Sequence, residues 1–208
     1  MSSSAMNSSA ADAERGHRLH IGIAEQGKLL ALRGRHAEAL AHYREALRMA
    51  HARGAPQVIG RHYLHCVLES LEHMGAFDAM IALCDEALAC VPEAAQGEFQ
   101  RRDRAHLLER RAVAELKAGQ AGARAGFERA IAAAGSGVLP LSEQLLAWLV
   151  RGYALTAARI TDAQRRHGYF VVREGQVDAQ RAIPLPSIPA SAAAPSSPSS
   201  IHRGGVRG

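Results

Sequence analysis

Apolar residues recur at intervals of three and four along most of the chain. In one stretch, Leu64, Val67, Leu68 and Leu71 fall on a single stripe of a helix. Runs of this kind, each about 15 residues long, end at a glycine, which is the residue best suited to the left-handed conformation that terminates a helix. These glycines are Gly34, Gly75 and Gly119.

The runs predict helices that follow one another in pairs. Their predicted bounds are 16–33 with 36–52, 56–74 with 77–90, 94–118 with 121–134, and a long helix over 140–166. The turn glycines recur 41 and 44 residues apart, and a period between about 20 and 50 residues is typical of a helical solenoid. The predicted fold is therefore all-α, an α-α superhelix of about three helix pairs with a C-terminal capping helix.

The ends of the chain depart from the helical pattern. Residues 1–15 and the Pro/Ser/Ala-rich residues 182–208 cannot assemble an apolar face, so both are predicted to be disordered. Residues 167–181 contain the β-prone GYFVV, which predicts a short strand or an extended segment laid on the helices. The PLPSIP that follows holds a P-x-x-P and is interpreted as a spacer.

Composition agrees with one domain of closely packed helices. The chain has 208 residues, 48% of them hydrophobic but only 4% aromatic, which favours helices over a sheet of bulky residues. The net charge of +5 comes almost entirely from arginine, since only Lys28 and Lys117 are lysines. We interpret this excess as bacterial codon usage rather than selection for nucleic acid or a membrane.

Cysteine usage and hydropathy bear on location. Cys66, Cys84 and Cys90 are odd in number and have no metal-finger spacing, which suits the reduced cytosol. No segment reaches about 18 uncharged apolar residues. We therefore expect a cytoplasmic protein without membrane insertion.

The paired runs resemble tetratricopeptide repeats, in which a helix with W-x2-L-G-x2-Y precedes one with A-x3-F and a later alanine. The first unit matches with Ile23, Gly27, Leu30, Gly34, Ala39, Tyr43 and Ala46; the second with Gly75, Ala87 and Pro92; the third with Gly119, Phe127 and Ala130. Trp148, Gly152 and Leu155 resemble the first helix of a fourth. The units span about 20–52, 56–92 and 94–134, and their length resembles the longer repeats of kinesin light chains and some bacterial signalling regulators. An ordinary helical bundle stays open as the alternative.

The resemblance implies a non-catalytic adaptor that holds a peptide or helix of a partner protein in a concave groove lined by the first helices. The groove positions so implied are Glu25, Lys28, His62, His65, Glu69, His73, His106, Glu109, Arg110, Lys117 and Tyr153. The clamp that binds chaperone tails is absent, because the one asparagine is Asn7, although capture of some acidic peptide stays open. The alternative function is a sensing or regulatory domain of a bacterial signalling or secretion apparatus.

Two other kinds of chemistry have candidate residues. His62 and Cys66 lie four apart, as metal ligands or a thiol and its base do, but no further ligand follows at a fixed spacing and no nucleotide-binding, zinc-protease or hydrolase motif occurs. We therefore expect no catalysis, no cofactor, no metal and no small-molecule substrate. The arginines that could contact phosphate are interrupted by acidic residues and are interpreted as a solvated face. They are Arg101, Arg102, Arg104, Arg110 and Arg111.

Overall fold

In a computed structural model of the protein, residues 2–91 and 97–186 are described, with side chains from residue 14 onward. These residues form α1 (Ser2–Leu32), α2 (His36–Ala52), α3 (Gln57–His73), α4 (Phe77–Ala89), α5 (Glu98–Lys117), α6 (Ala123–Ala134), α7 (Pro140–Val150) and α8 (Ala157–Arg166). The fold is all-α as predicted, and each helix packs against the next along the chain. None of these helices combines the length and apolar character required to cross a bilayer.

The predicted turn glycines end the first helix of each of the first three pairs. Gly34, Gly75 and Gly119 have φ of 74°, 70° and 69°, the region that glycine enters without a steric penalty. After Gly34, the Arg35 N–H returns to the Leu30 carbonyl at 2.9 Å, which satisfies a carbonyl that the helix end leaves unpaired. Pro92, which was predicted to close the second unit, lies outside the described residues.

Each of the first three helix pairs buries one larger side chain, Tyr43, Cys84 or Phe127, inside the pair. Ala39, Tyr43 and Ala46 have no exposed surface, and neither do Phe127 and Ala130. In the second pair Met80 and Cys84 take the places of Ala39 and Tyr43 and are also fully buried, whereas Ala87 is partly buried. The alanines therefore admit the neighbouring helix, and the larger side chain fills the space beside it.

The two ends of the helical region differ from the sequence prediction. α1 begins at Ser2, within residues that were expected to be disordered. The single helix expected over 140–166 is instead the pair α7 and α8, because Gly152 adopts a φ of 70° and Thr156 caps α8 by accepting the Arg159 N–H. Gly152 is thus a turn glycine and not the counterpart of Gly27, so the match proposed for a fourth first helix is wrong.

Beyond α8 the chain turns back over the helices. We call residues 168–186 the return segment; it forms no strand and contains one short 3-10 turn, Glu174–Gln176. Its hydrogen bonds reach α5, then α3, then α1 and finally α2. Residues 182–186 therefore belong to the ordered fold, although they were predicted to be part of a disordered tail, and residues 187–208 of that tail lie outside the described residues.

Candidate functional site

The return segment lies on the helices that were predicted to line the groove. We call this surface of α1, α3 and α5 the binding face. The hydrogen bonds between them use the backbone of the segment, whose N–H groups and carbonyls meet side chains of the helices. The face therefore already holds a chain without strand structure, and that chain is the protein's own.

Glu69 of α3 holds the middle of the contact. Its Oε2 accepts the N–H of Val171 at 2.6 Å and that of Val172 at 3.3 Å, while its side chain is almost fully buried. Burial raises the pKa of Glu69, and the Arg110 charge and the two N–H donors oppose that rise. Two consecutive N–H groups converge on one oxygen, so the carboxylate holds a bend of the segment at Val171. Because both bonds go to backbone groups, they do not depend on the side chains of these two residues.

Arg110 of α5 lies beneath the segment rather than on an open surface. Arg110 is 3% exposed. Its Nη2 donates to the Tyr169 carbonyl at 3.1 Å, and its guanidinium lies 4.4 Å from the centre of the Tyr169 ring. Arg110 was predicted from the sequence to lie in the groove and on a solvated face, where it could contact an acidic peptide. The structure corrects this assignment, because the guanidinium is enclosed by the protein's own tyrosine.

An aromatic stack and α8 cover the part of the face next to the C-terminal end of α3. Phe170 stacks on His73 with ring centres 5.1 Å apart, and His73 stacks in turn on His36 at 4.4 Å. Burial is the main cause that lowers the pKa of His36 and of His73. His73 is therefore occupied by the return segment as well.

Lys117 is enclosed in a buried polar group. Its Nζ donates to Glu72 Oε1 at 2.6 Å, and Gln164 of α8 donates to the same oxygen at 2.6 Å. The side chains of Lys117 and Glu72 are 9% and 1% exposed. Lys117 thus joins three helices and is not available to a partner, contrary to the prediction.

The α1 end of the face holds the last part of the segment. Glu25 accepts the Asp178 N–H on Oε2 at 2.8 Å and the Lys28 ammonium on Oε1 at 2.8 Å. The Gly22 carbonyl accepts the Ile183 N–H at 2.9 Å. Beside these contacts an open cavity of about 300 Å³ is lined by Ile21, Lys28 and His62 among others. Of the predicted groove residues, Lys28 and His62 therefore border this cavity, each of them partly buried.

His42 of α2 binds the end of the return segment, and its two hydrogen bonds define its tautomer. Its Nδ1 lies 2.8 Å from the Glu38 carbonyl and its Nε2 lies 3.1 Å from the Leu185 nitrogen. A carbonyl only accepts and a backbone N–H only donates, so Nδ1 carries the proton and Nε2 is the acceptor. The contact thus requires a neutral imidazole.

His65, His106 and Glu109 line a second cavity of about 350 Å³, between α5, the start of α7 and the return segment. Burial lowers the pKa of His65 well below its usual value. Glu109 accepts the Ser142 hydroxyl at 2.8 Å, which connects α5 to α7. Tyr153 stands apart from these residues, because it follows the Gly152 turn and its ring faces Arg159 at 5.4 Å.

The first helices were predicted from the sequence, but the segment that covers them was not. Gly22, His42 and Gln164 were not predicted to have a role, and the return segment was not placed on the face. The available signal was Gly22 itself, since glycine is unfavourable inside a helix unless something approaches its backbone closely.

The thiol and imidazole of Cys66 and His62 do not form a reactive pair. The sulfur lies 3.8 Å from His62 Nε2, burial raises the pKa of the Cys66 thiol to about 12, and burial also lowers the pKa of His62. Both shifts disfavour the thiolate–imidazolium form that a nucleophile needs. Across the described residues no group of three or more metal-ligating side chains occurs.

The arginines of α5 are engaged in contacts with the protein. Arg111 bonds Asp85 at 2.7 Å and Glu115 at 2.5 Å, Arg102 lies 3.6 Å from Glu98, and Arg104 donates to a backbone carbonyl. With Arg110 buried, this set is dispersed rather than gathered into one cationic patch.

No protein-family model, curated protein or solved structure matches the chain. The resemblance to tetratricopeptide repeats therefore rests on the signature residues named above.

Proposed function

We propose that the protein is a non-catalytic adaptor whose binding face holds an extended segment of a partner protein. One observation carries this proposal: residues 168–186 of the same chain lie on the face, and Glu69, Glu25 and the Gly22 carbonyl accept backbone N–H groups of that segment. A surface built to accept backbone donors suits extended peptides in general.

The region left for a partner is the α1 end of the face. Arg110 and Lys117 on α5 are enclosed by Tyr169 and α8, and His106 is the α5 groove residue that stays half-exposed. Lys28 and His62 border the open cavity. The burial of Cys66, which raises the pKa of its thiol, supports the non-catalytic part of the proposal.

A regulatory role is the second candidate, and the occupied face favours it. A domain whose binding surface is covered by its own chain responds to a partner by exchanging one occupant for another. The adaptor and the regulator share the same surface, so one experiment tests that surface for both.

The experiment selects binders from a library of random 12-residue peptides. The targets are the full-length wild type and the full chain carrying Ile183→Asp and Leu185→Asp, which loosens the end of the return segment. Selected peptides are then measured by fluorescence polarisation against Glu25→Gln and against the matched variant Glu45→Gln. Glu45 is a suitable control because, like Glu25 with Lys28, it forms an ion pair with a basic residue three positions later, Arg48. Glu45 lies on α2 and not on the binding face.

We expect the peptides to lose at least fivefold in affinity on Glu25→Gln and to be unaffected by Glu45→Gln. If neither target selects a binder, or if the binders are indifferent to Glu25→Gln, the binding face is not a peptide site.

A further inference from the structure

The return segment is held in two different ways along its length. Tyr169 and Val172 are 9% and 8% exposed and belong to the hydrophobic core. From residue 173 onward most side chains are exposed, and the chain is held by backbone bonds to α1 and α2. The first part is therefore a structural element, and the last part is a bound peptide on a surface.

The bound end has a regular chemistry. Residues 183–186 read Ile-Pro-Leu-Pro. The Ile183 N–H donates to the Gly22 carbonyl and the Leu185 N–H donates to His42, so alternate residues face the helices. The two prolines between and after them have no N–H to leave unsatisfied, and they favour an extended chain.

Leu185 supplies the apolar contact at this end. Its side chain packs against the cluster that contains Ile23, Met49 and Tyr63. Ile183 is 36% exposed and lies against α1 at Gly22. An apolar–Pro–apolar–Pro sequence therefore uses its donors and one apolar side chain to bind while its prolines keep it straight.

Gly22 is matched to the close approach of this segment. A Cβ at that position would lie 2.5 Å from Ile183 Cδ1 and 2.6 Å from the Arg181 carbonyl oxygen. Gly22 lies inside α1, where alanine is the more favourable residue. The segment explains why a glycine is present.

We propose that the α1–α2 end of the binding face is a site for extended peptides of the form apolar–Pro–apolar–Pro, and that residues 183–186 occupy it until a partner segment of this kind displaces them. The inference rests on the proposed function and adds to it the class of partner and its regulation. The open cavity beside Lys28 and His62 leaves room for a partner segment longer than the resident one.

Residues 183–186 belong to the same chain as the site, and this covalent connection determines how strongly they compete with a partner peptide. A segment joined by a short linker acts at an effective concentration on the order of 1 mM. If the isolated sequence binds with a Kd of about 100 µM, the resident copy weakens a competing peptide about tenfold.

The test uses a fluorescein-labelled peptide of residues 178–189, DAQRAIPLPSIP. Its binding is measured by polarisation to the full-length wild type and to the full chain with Ile183→Asp and Leu185→Asp. We expect the Asp-bearing chain to bind about tenfold more tightly than the wild type. A peptide with the same two aspartates should bind neither.

A second substitution in the Asp-bearing chain tests the site itself. Adding Gly22→Ala should abolish binding, because the new methyl group occupies the space of the peptide backbone. Gly60→Ala is the matched control, since Gly60 also lies inside a helix but a Cβ there would meet its nearest neighbours at an ordinary 3.8 Å. Circular dichroism of each variant establishes that the helices are retained.

Equal binding by the wild type and the Asp-bearing chain, or binding that tolerates Gly22→Ala, would overturn the proposal. A wild type that is dimeric by light scattering and monomeric after Ile183→Asp and Leu185→Asp would also overturn it, because the occupant would then come from a second copy. If this peptide does not bind while the affinity of library-selected peptides still falls on Glu25→Gln, the proposed apolar–Pro–apolar–Pro class is wrong. The binding face is then still a peptide site.

Discussion

Gly27→Ala tests the packing inside the first helix pair. A Cβ at Gly27 would lie 2.7 Å and 2.9 Å from two carbons of the Tyr43 ring, whereas ordinary carbon contacts lie at about 3.5–4.0 Å. The ring would have to move by about 1 Å. Tyr43 has no exposed surface, so the neighbouring core must move with it.

Two opposing effects set the magnitude for Gly27→Ala. Alanine is favoured over glycine inside a helix by about 1 kcal/mol, and overpacking a core site costs about 1–3 kcal/mol. Because the Tyr43 ring is fully buried, we expect overpacking to exceed the helix preference, with a net loss of about 1–2 kcal/mol in the free energy of unfolding. For a domain of this size, each kcal/mol corresponds to a fall of about 2–4 °C in Tm.

Urea denaturation followed by circular dichroism measures this loss, with Gly22→Ala as the matched control in the same helix. At Gly22 the obstructing atoms belong to the return segment and not to the core, so we expect stability close to the wild type. The predicted clash with Tyr43 is refuted if Gly27→Ala is as stable as the wild type, or if it loses no more stability than Gly22→Ala at an unchanged m value.

Three further outcomes are expected from urea denaturation. Ala39→Leu should lose about 1–3 kcal/mol because Ala39 is fully buried, whereas Ala37→Leu on the exposed side should stay within about 0.5 kcal/mol, and equal losses would contradict the repeat register. Lys117→Met should cost about 3–5 kcal/mol, because it leaves the Glu72 carboxylate buried without its cation; a loss below 1 kcal/mol would refute the pairing. Burial lowers the pKa of His65 in the folded protein, so below about pH 6.5 this histidine takes up a proton in the unfolded chain first, and the free energy of unfolding should fall as the pH falls. His65→Gln should reduce the slope of that free energy against pH by up to about 1.4 kcal/mol per pH unit. An unchanged slope would contradict a buried, neutral His65.

The helices were readable from the sequence because their signals are local. The apolar stripe of α3 and the glycine at each turn act within a few residues of the feature that they specify. The break at Gly152 was missed because Trp148, Gly152 and Leu155 also fit the spacing of a first helix.

The candidate site was only partly readable because its contacts join distant residues. Glu69 and Arg110 were correctly assigned to the first helices, yet their partners, Val171 and Tyr169, lie far along the chain. Polar residues on the inner side of a solenoid have the same pattern whether they face a partner or the protein's own tail. The distinction depends on where an irregular segment runs, and no periodicity encodes that path.

The long span between Glu25 and Asp178 has a consequence for synthesis. The two residues lie 153 positions apart, so α1 and α2 leave the ribosome well before the segment that covers them. At about 5–20 residues per second, that interval lasts roughly 8–30 s. During this interval the α1 face of the nascent chain is uncovered, and a partner present at the ribosome meets no resident competitor.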